Sequence, residues 1–183
     1  MHLTTKQNRA KFFKVLKGVF VNKQTDFTHF DEHGNAIMVD ISKKAITERI
    51  AMASGKITMS ANCYTSVKHG EVKKGDVLGT ARLAGIMAAK QTSNLIPLCH
   101  ILSIEQASVD FSFNDDTKTI TATCLIKVTD KTGAEMEALT GATIALLTIY
   151  DMCKAIDKAM VISEVCLVNK QGGKSGGYTR NQA

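Results

Sequence analysis

Between Ser108 and Val128 the chain alternates polar and hydrophobic positions twice over. The runs are Ser108-Val109-Asp110-Phe111-Ser112-Phe113 and Ile120 through Val128, and Asn114-Asp115-Asp116-Thr117 stands between them. A period of two with turn-forming residues at the break predicts a β-hairpin. After Lys131-Thr132-Gly133 the pattern changes: Glu135 to about Lys158 is rich in Ala, Leu, Met and Ile and has no Pro, which predicts a long helix. A second helix is predicted over VLGTARLAGIMAAKQTSNL, residues 77–95. There Val77, Leu78, Ala81, Ala84, Gly85 and Ala88 follow the 3.6-residue period, Asp76 is placed to cap the start, and Pro97 ends the element. Residues 27–60 read as short β-like pieces, with Ala36–Ile41 following a turn at His33-Gly34-Asn35, and Val161–Val168 reads as a last strand. Helices interleaved with an antiparallel hairpin predict an α+β sandwich, its antiparallel sheet carrying helices on one face.

Composition narrows the class. The 183 residues are 44% hydrophobic and 22% charged, with a single Pro and no Trp, which suits one globular domain. No run approaches the roughly 18 apolar residues of a spanning helix, so a soluble protein without membrane attachment is expected. Net charge is +6, but residues 1–25 alone hold Lys6, Arg9, Lys11, Lys14, Lys17 and Lys23 and no acid. The remainder then carries 17 positive groups against 17 acids. We therefore expect a basic extension over residues 1–25, one catalytic domain over 26–170 and a flexible Gly-rich tail over 171–183. A neutral body lacking the Lys/Arg-Gly-Phe/Tyr signature speaks against the rival reading, a nucleic-acid-binding module. The five cysteines form no CxxC pair, so they are expected to be reduced in a cytoplasmic protein, with no metal centre.

Several residues could carry chemistry. GGKSGG at 172–177 looks like half of a phosphate-binding loop, but Val168 stands where that motif needs its first Gly. His100 follows the rigid Pro97-Leu98-Cys99; Glu135 and Glu137 open the long helix, where acids also complement the helix dipole. Asp151 and Lys154, three apart among apolar neighbours, read either as an exposed ion pair or as a partly desolvated acid–base pair. Glu137 and Asp151 would lie about 21 Å apart along one helix. Either one of them belongs elsewhere, or two copies of the chain share a site.

The segments FTHFDEHGNAIMVDIS (27–42), KKGDVLGTARLAGIMAAKQTSNL (73–95), LIPLCH (95–100), KTGAEMEALTGATIALLTIYDMCKAIDKAM (131–160) and GGKSGG (172–177) resemble, in order and spacing, the cyclic pyranopterin monophosphate synthase family, molybdenum cofactor biosynthesis protein C. The resemblance implies a ferredoxin-like fold and a homohexamer, a trimer of dimers with active sites at the dimer interfaces. It implies a lyase that converts 3′,8-cyclo-7,8-dihydroguanosine triphosphate, supplied by a radical S-adenosylmethionine GTP cyclase, to cyclic pyranopterin monophosphate and pyrophosphate, with no cofactor of its own. By position, Asp151 matches the residue assigned as catalytic, and Lys74 and Lys154 match the essential lysines. Leu98, Cys99 and His100 match one substrate-binding segment, and Met136 with Glu137 match a second, beside which Glu135 is expected to bind substrate. Arg49, Lys90, Lys170 and Lys174 match basic positions near the pocket and would neutralise the triphosphate. Residues 61–72 and Asp130, where a small residue is more usual, depart from the family pattern.

Overall fold

A computed structural model describes residues 29, 31, 33–174 and 176–181. The basic segment over 1–25 lies outside the described residues. The chain divides into two compact units, 1–37 and 38–183. In the first, Asp31 organises the expected turn by accepting the N–H groups of His33 (2.9 Å) and Asn35 (2.8 Å).

The second unit contains strands β1 (Thr47–Thr58), β2 (Ile104–Asn114), β3 (Thr119–Asp130), β4 (Val161–Gln171) and β5 (Tyr178–Thr179). Its helices are α1 (Ala61–Lys68), α2 (Val77–Ala89), α3 (Thr92–Leu95) and α4 (Glu135–Cys153). The sheet order is β2-β3-β1-β4-β5, with every neighbouring pair antiparallel. Together with helices confined to one face, this is the ferredoxin-like arrangement of an α+β fold. The predicted hairpin is β2–β3, with Asn114 Oδ1 accepting the N–H groups of Asp116 and Thr117 to close the turn, both at 3.0 Å.

Period-two burial fixes which face of the sheet is covered. On β3, Ile120, Ala122, Cys124, Ile126 and Val128 are buried; on β1 the buried set is Ala51, Ala53, Gly55 and Ile57. These small residues let α4 approach closely: a Cβ on Gly55 would come within 2.7 Å of Leu146 Cδ1, and one on Gly141 within 2.5 Å of Cys124 Sγ. Gly85 of α2 stands against the Gly141 carbonyl of α4, where an added Cβ would sit at 2.8 Å. Gly141→Val should therefore overpack the core and lower unfolding free energy by about 1–3 kcal/mol, read as a fall in the urea midpoint at constant slope. An unchanged midpoint would contradict the close approach.

Several elements differ from the sequence-based expectation, helix α1 among them, which no local pattern announced. The expected short β pieces before Ser60 are one 12-residue strand, β1, at the centre of the sheet. Ala36–Ile41 is not a strand: the Ile37 N–H is spent on His29 O (2.9 Å) and the Val39 carbonyl on His100 (2.9 Å). The helix starting at Val77 stops at Ala89, because Thr92 Oγ1 turns back onto the Ala89 carbonyl (3.0 Å) and a separate short helix follows. The long helix ends at Cys153 rather than near Lys158, its Cys153 carbonyl taking the N–H groups of Ile156 (2.8 Å) and Asp157 (3.1 Å) in a turn. The segment after Gln171 folds back, Tyr178 and Thr179 pairing with Lys170 and Asn169. No helix among the described residues is long and apolar enough to cross a membrane.

Candidate active site

Apart from Lys90, the charged candidates fall into two groups at opposite ends of α4. At the C-terminal end, Asp151 sits between two lysines. Lys154 Nζ lies 2.7 Å from its Oδ1, and Lys74 Nζ lies 3.7 Å from its Oδ2 while donating to the Asp151 carbonyl at 3.0 Å. Lys74 reaches this place from the loop before α2, which Asp76 sets by accepting the Gly79 N–H (2.8 Å). The Lys154 hydrogen bond and charge, with that of Lys74, hold the Asp151 carboxyl below its usual range. Reciprocally, the bond to Asp151 raises Lys154. Of the two readings the spacing offered, a single chain shows the exposed ion pair rather than a desolvated one: Lys154 is held firmly as an ammonium, because its carboxylate partner is in contact and burial is slight. A hollow of about 500 Å³, lined by Lys74, Tyr150, Lys154, Ala155 and Lys158, opens beside this group.

The N-terminal end of α4 borders a cleft of about 970 Å³, walled by the ends of β1 and β4 and by the loop before α4. Arg49, Glu135, Lys170 and Lys174 all line it. Lys170 Nζ pairs with Glu135 Oε1 at 2.9 Å, both side chains 29% exposed. Burial works against ionising Glu135, but the Lys170 hydrogen bond and charge, a main-chain hydrogen bond and the Arg49 charge together outweigh it and leave the pKa lowered. Arg49 donates from Nε to the Asp130 carbonyl (3.0 Å) and from Nη2 to that of Lys131 (3.1 Å), so it braces the loop before α4 as well as facing the cleft. The glycines of GGKSGG have a local reason: Gly172 (φ +87°) and Gly173 (φ +79°) turn tightly over the Glu48 carbonyl and the Arg49 guanidinium, where side chains would not fit. That turn carries Lys174 to the cleft. Asp130 does not line the cleft; its Oδ1 accepts the Lys131 N–H at 2.6 Å and shapes the turn.

Two residues further along α4, Glu137 is 4% exposed, and burial, reinforced by the Glu135 charge, pushes its pKa up to about 7. Cys99 lies close enough that burial and the Glu137 charge raise its thiol. His100 Nε2 is 2.9 Å from the Val39 carbonyl, and Leu98, Cys99 and His100 are all half-buried. Met136 is 38% exposed. Lys90 caps α2 and lines neither hollow. Sequence reasoning did not single out Lys43, Lys44 and Lys131, which line the larger cleft, or Tyr150 and Lys158, which line the smaller. The basic pair after Asp40-Ile41-Ser42 and the lysine before Thr132-Gly133 were the available signals. Among the described residues no group of three or more His, Cys, Asp or Glu is placed to hold a metal ion.

Glu135 and Asp151 are separated by about 24 Å of continuous helix at 1.5 Å per residue. The two groups of one chain cannot close on one small molecule. The fold and these charged groups define a class: an α+β protein with a polyanion-sized cationic cleft and a separate Lys-Asp-Lys group. Residues 38–173 match the MoaC family, and the chain belongs to that family. The cyclic pyranopterin monophosphate synthase of Clostridium perfringens (strain 13 / Type A) is 57% identical over 151 residues, 82% of this chain and 96% of the relative. Proteins of the same name from Clostridium botulinum (strain Alaska E43 / Type E3) and Desulfitobacterium hafniense (strain DSM 10664 / DCB-2) are each 56% identical over 155 residues, covering 85% of this chain and 98% and 94% of the relatives.

Proposed function

We propose that this protein is a lyase of molybdenum cofactor biosynthesis, converting (8S)-3′,8-cyclo-7,8-dihydroguanosine 5′-triphosphate to cyclic pyranopterin monophosphate and pyrophosphate. The observation that carries the reading is the division of labour along α4 in a chain so similar to proteins of that name. A cleft rich in ammonium groups stands at one end and a lysine–aspartate–lysine group at the other. The reaction asks for both. Opening the guanine imidazole ring and reclosing it as a pterin moves protons onto and off nitrogen. Displacing pyrophosphate from the α-phosphorus needs positive charge where negative charge builds up.

Lys74 and Lys154 act as acid and base, Asp151 orienting Lys154 and balancing its charge. The bond to Asp151 keeps Lys154 protonated, so it enters the reaction as a proton donor. Arg49, Lys90, Lys170 and Lys174 neutralise the triphosphate. His100, Glu135 and Glu137 hold the base and ribose, supported by Leu98, Cys99 and Met136. Glu137, with a pKa of about 7, can also give or accept a proton near neutrality. The enzyme works as a homohexamer, a trimer of dimers, in which each site takes its cleft from one chain and its Lys-Asp-Lys group from another. It acts in the cytoplasm on the product of a radical S-adenosylmethionine GTP cyclase, without a cofactor.

Incubation of purified protein with the cyclised guanosine triphosphate is expected to release pyrophosphate and form the pterin product, followed by coupled phosphate assay and fluorescence of the oxidised pterin. Unchanged substrate under conditions where the oligomer is intact would reject the reading.

A further inference from the structure

The larger cleft holds more positive charge than its named residues account for. Lys43, Lys44, Arg49, Lys131, Lys170 and Lys174 line it against one carboxylate, Glu135. That carboxylate is spent on Lys170, and Arg49 is tied to two main-chain carbonyls. Lys43, Lys44 and Lys174 make no side-chain hydrogen bond or ion pair among the described residues.

The two lysines near the start of the unit are not on a loose loop. Asp40 Oδ1 accepts the Ser42 N–H (2.8 Å), the Ile41 carbonyl accepts the Lys44 N–H (3.0 Å), and Lys131 Nζ donates to the Ser42 carbonyl (2.9 Å). The last bond fixes the turn that carries Lys43 and Lys44 to the loop leading into α4. Asp40 is within electrostatic range of Lys131, but its carboxylate is turned onto the Ser42 N–H. Like charges gathered in a concave wall repel one another and raise the local potential, an arrangement that favours a multiply charged anion.

Resting on the function just proposed, we infer that Lys43, Lys44 and Lys131 form the subsite for the outer two phosphates of the triphosphate, the part released as pyrophosphate. Depth in the cleft sets the direction. Glu135, Lys131 and Lys170 are half-buried, whereas Lys43, Lys44 and Lys174 stand exposed at its rim, and Lys131 joins the first two through its bond to the Ser42 carbonyl of their turn. The α-phosphate, joined to the reacting sugar, belongs inward, and pyrophosphate at the rim can leave without crossing the rest of the substrate. Flexible exposed lysines grip phosphate as point charges and release it readily.

Inorganic tripolyphosphate separates this subsite from turnover. Titrated calorimetrically into the whole protein at two salt concentrations, it should bind the Lys43→Ala/Lys44→Ala variant roughly tenfold or more weakly, with a shallower salt dependence. Lys44→Gln should give part of that loss, and Lys56→Ala, on the sheet away from the cleft, none. With the nucleotide substrate the double variant should raise KM far more than it lowers kcat. Failure of the unaltered protein to bind tripolyphosphate, or equal affinity in the double variant, overturns the subsite. Those outcomes in a protein that makes the pterin leave the proposed reaction standing. Tripolyphosphate binding through these lysines without pterin formation would remove the reaction and keep the subsite.

Discussion

Lys74→Ala and Lys170→Ala are each expected to lower turnover by at least 10²–10⁴-fold as pure proteins, the range for losing a positioned proton-transfer or charge-stabilising group. Mixed and allowed to exchange subunits, they should regain activity together. The reason lies in α4: Lys74 stands with Asp151 at one end, and Lys170 stands with Glu135 at the other, about 24 Å away. If a site joins the cleft of one chain to the Lys-Asp-Lys group of another, a Lys74→Ala chain still offers a sound cleft and a Lys170→Ala chain a sound Lys-Asp-Lys group. Random pairing in a symmetric oligomer then restores about one quarter of the sites. Lys74→Ala mixed with Lys154→Ala should recover nothing, since both lysines contact Asp151 of the same chain and no site can obtain both intact. The contrast between the two mixtures, measured as pyrophosphate release after mass spectrometry has verified exchange, is the informative result. Equal recovery in both, or in neither, would defeat the shared-site assembly.

Local pattern carried part of this structure and not the rest, for reasons visible in particular residues. β2–β3 was legible because Val109, Phe111, Ile120 and Val128 contrast sharply with their polar neighbours. β1 was not, since its buried positions include Ala51, Ala53 and Gly55, too small to mark a hydrophobic face. They are small because α4 crosses there, which is a tertiary fact. Helix α1 was missed for a related reason: it buries only Cys63, Tyr64 and Val67, and Tyr64 gains its place through a 2.8 Å hydrogen bond to Asp115 in the β2–β3 turn. The end of α4 depends on Asp157, whose Oδ2 accepts the Ser60 N–H at 2.7 Å across the fold. The site divides in the same way. Lys154 beside Asp151 could be read from spacing on one helix, and helix length showed that Glu137 could not join them. Lys43, Lys44 and Lys131 meet Lys170 and Lys174 only because β1 pairs with both β3 and β4. Resemblance to a family supplied candidates such as Arg49 and Lys170 that no local signal marked, but not the bonds that Arg49 makes to the main chain.

Glu137 should give the protein an unusual stability profile. An exposed glutamate titrates near pH 4.5, whereas burial beside Glu135 raises this one to about 7. Between those values the folded chain binds a proton that the unfolded chain has released, so this residue makes stability fall as pH rises from about 4.5 to 7, and the full penalty is present above pH 7. At 1.36 kcal/mol per unit the difference amounts to roughly 3 kcal/mol. Glu137→Gln keeps the shape of the protonated acid and removes its ionisation. The variant should therefore unfold at higher urea than the unaltered protein at pH 8 and at a similar concentration at pH 4.5. Its activity should move the opposite way: a residue that exchanges a proton near neutrality is lost, so turnover falls and the pH–rate limb near 7 disappears. A stabilised but fully active variant would make Glu137 a structural burden without a part in proton transfer. One equally stable at both pH values would mean that the carboxyl is solvated or paired in the assembled protein. A stabilised, slowed variant is expected, because leaving a carboxyl this deeply buried beside Cys99, two residues from the cleft-lining Glu135, makes sense where a proton must be held ready.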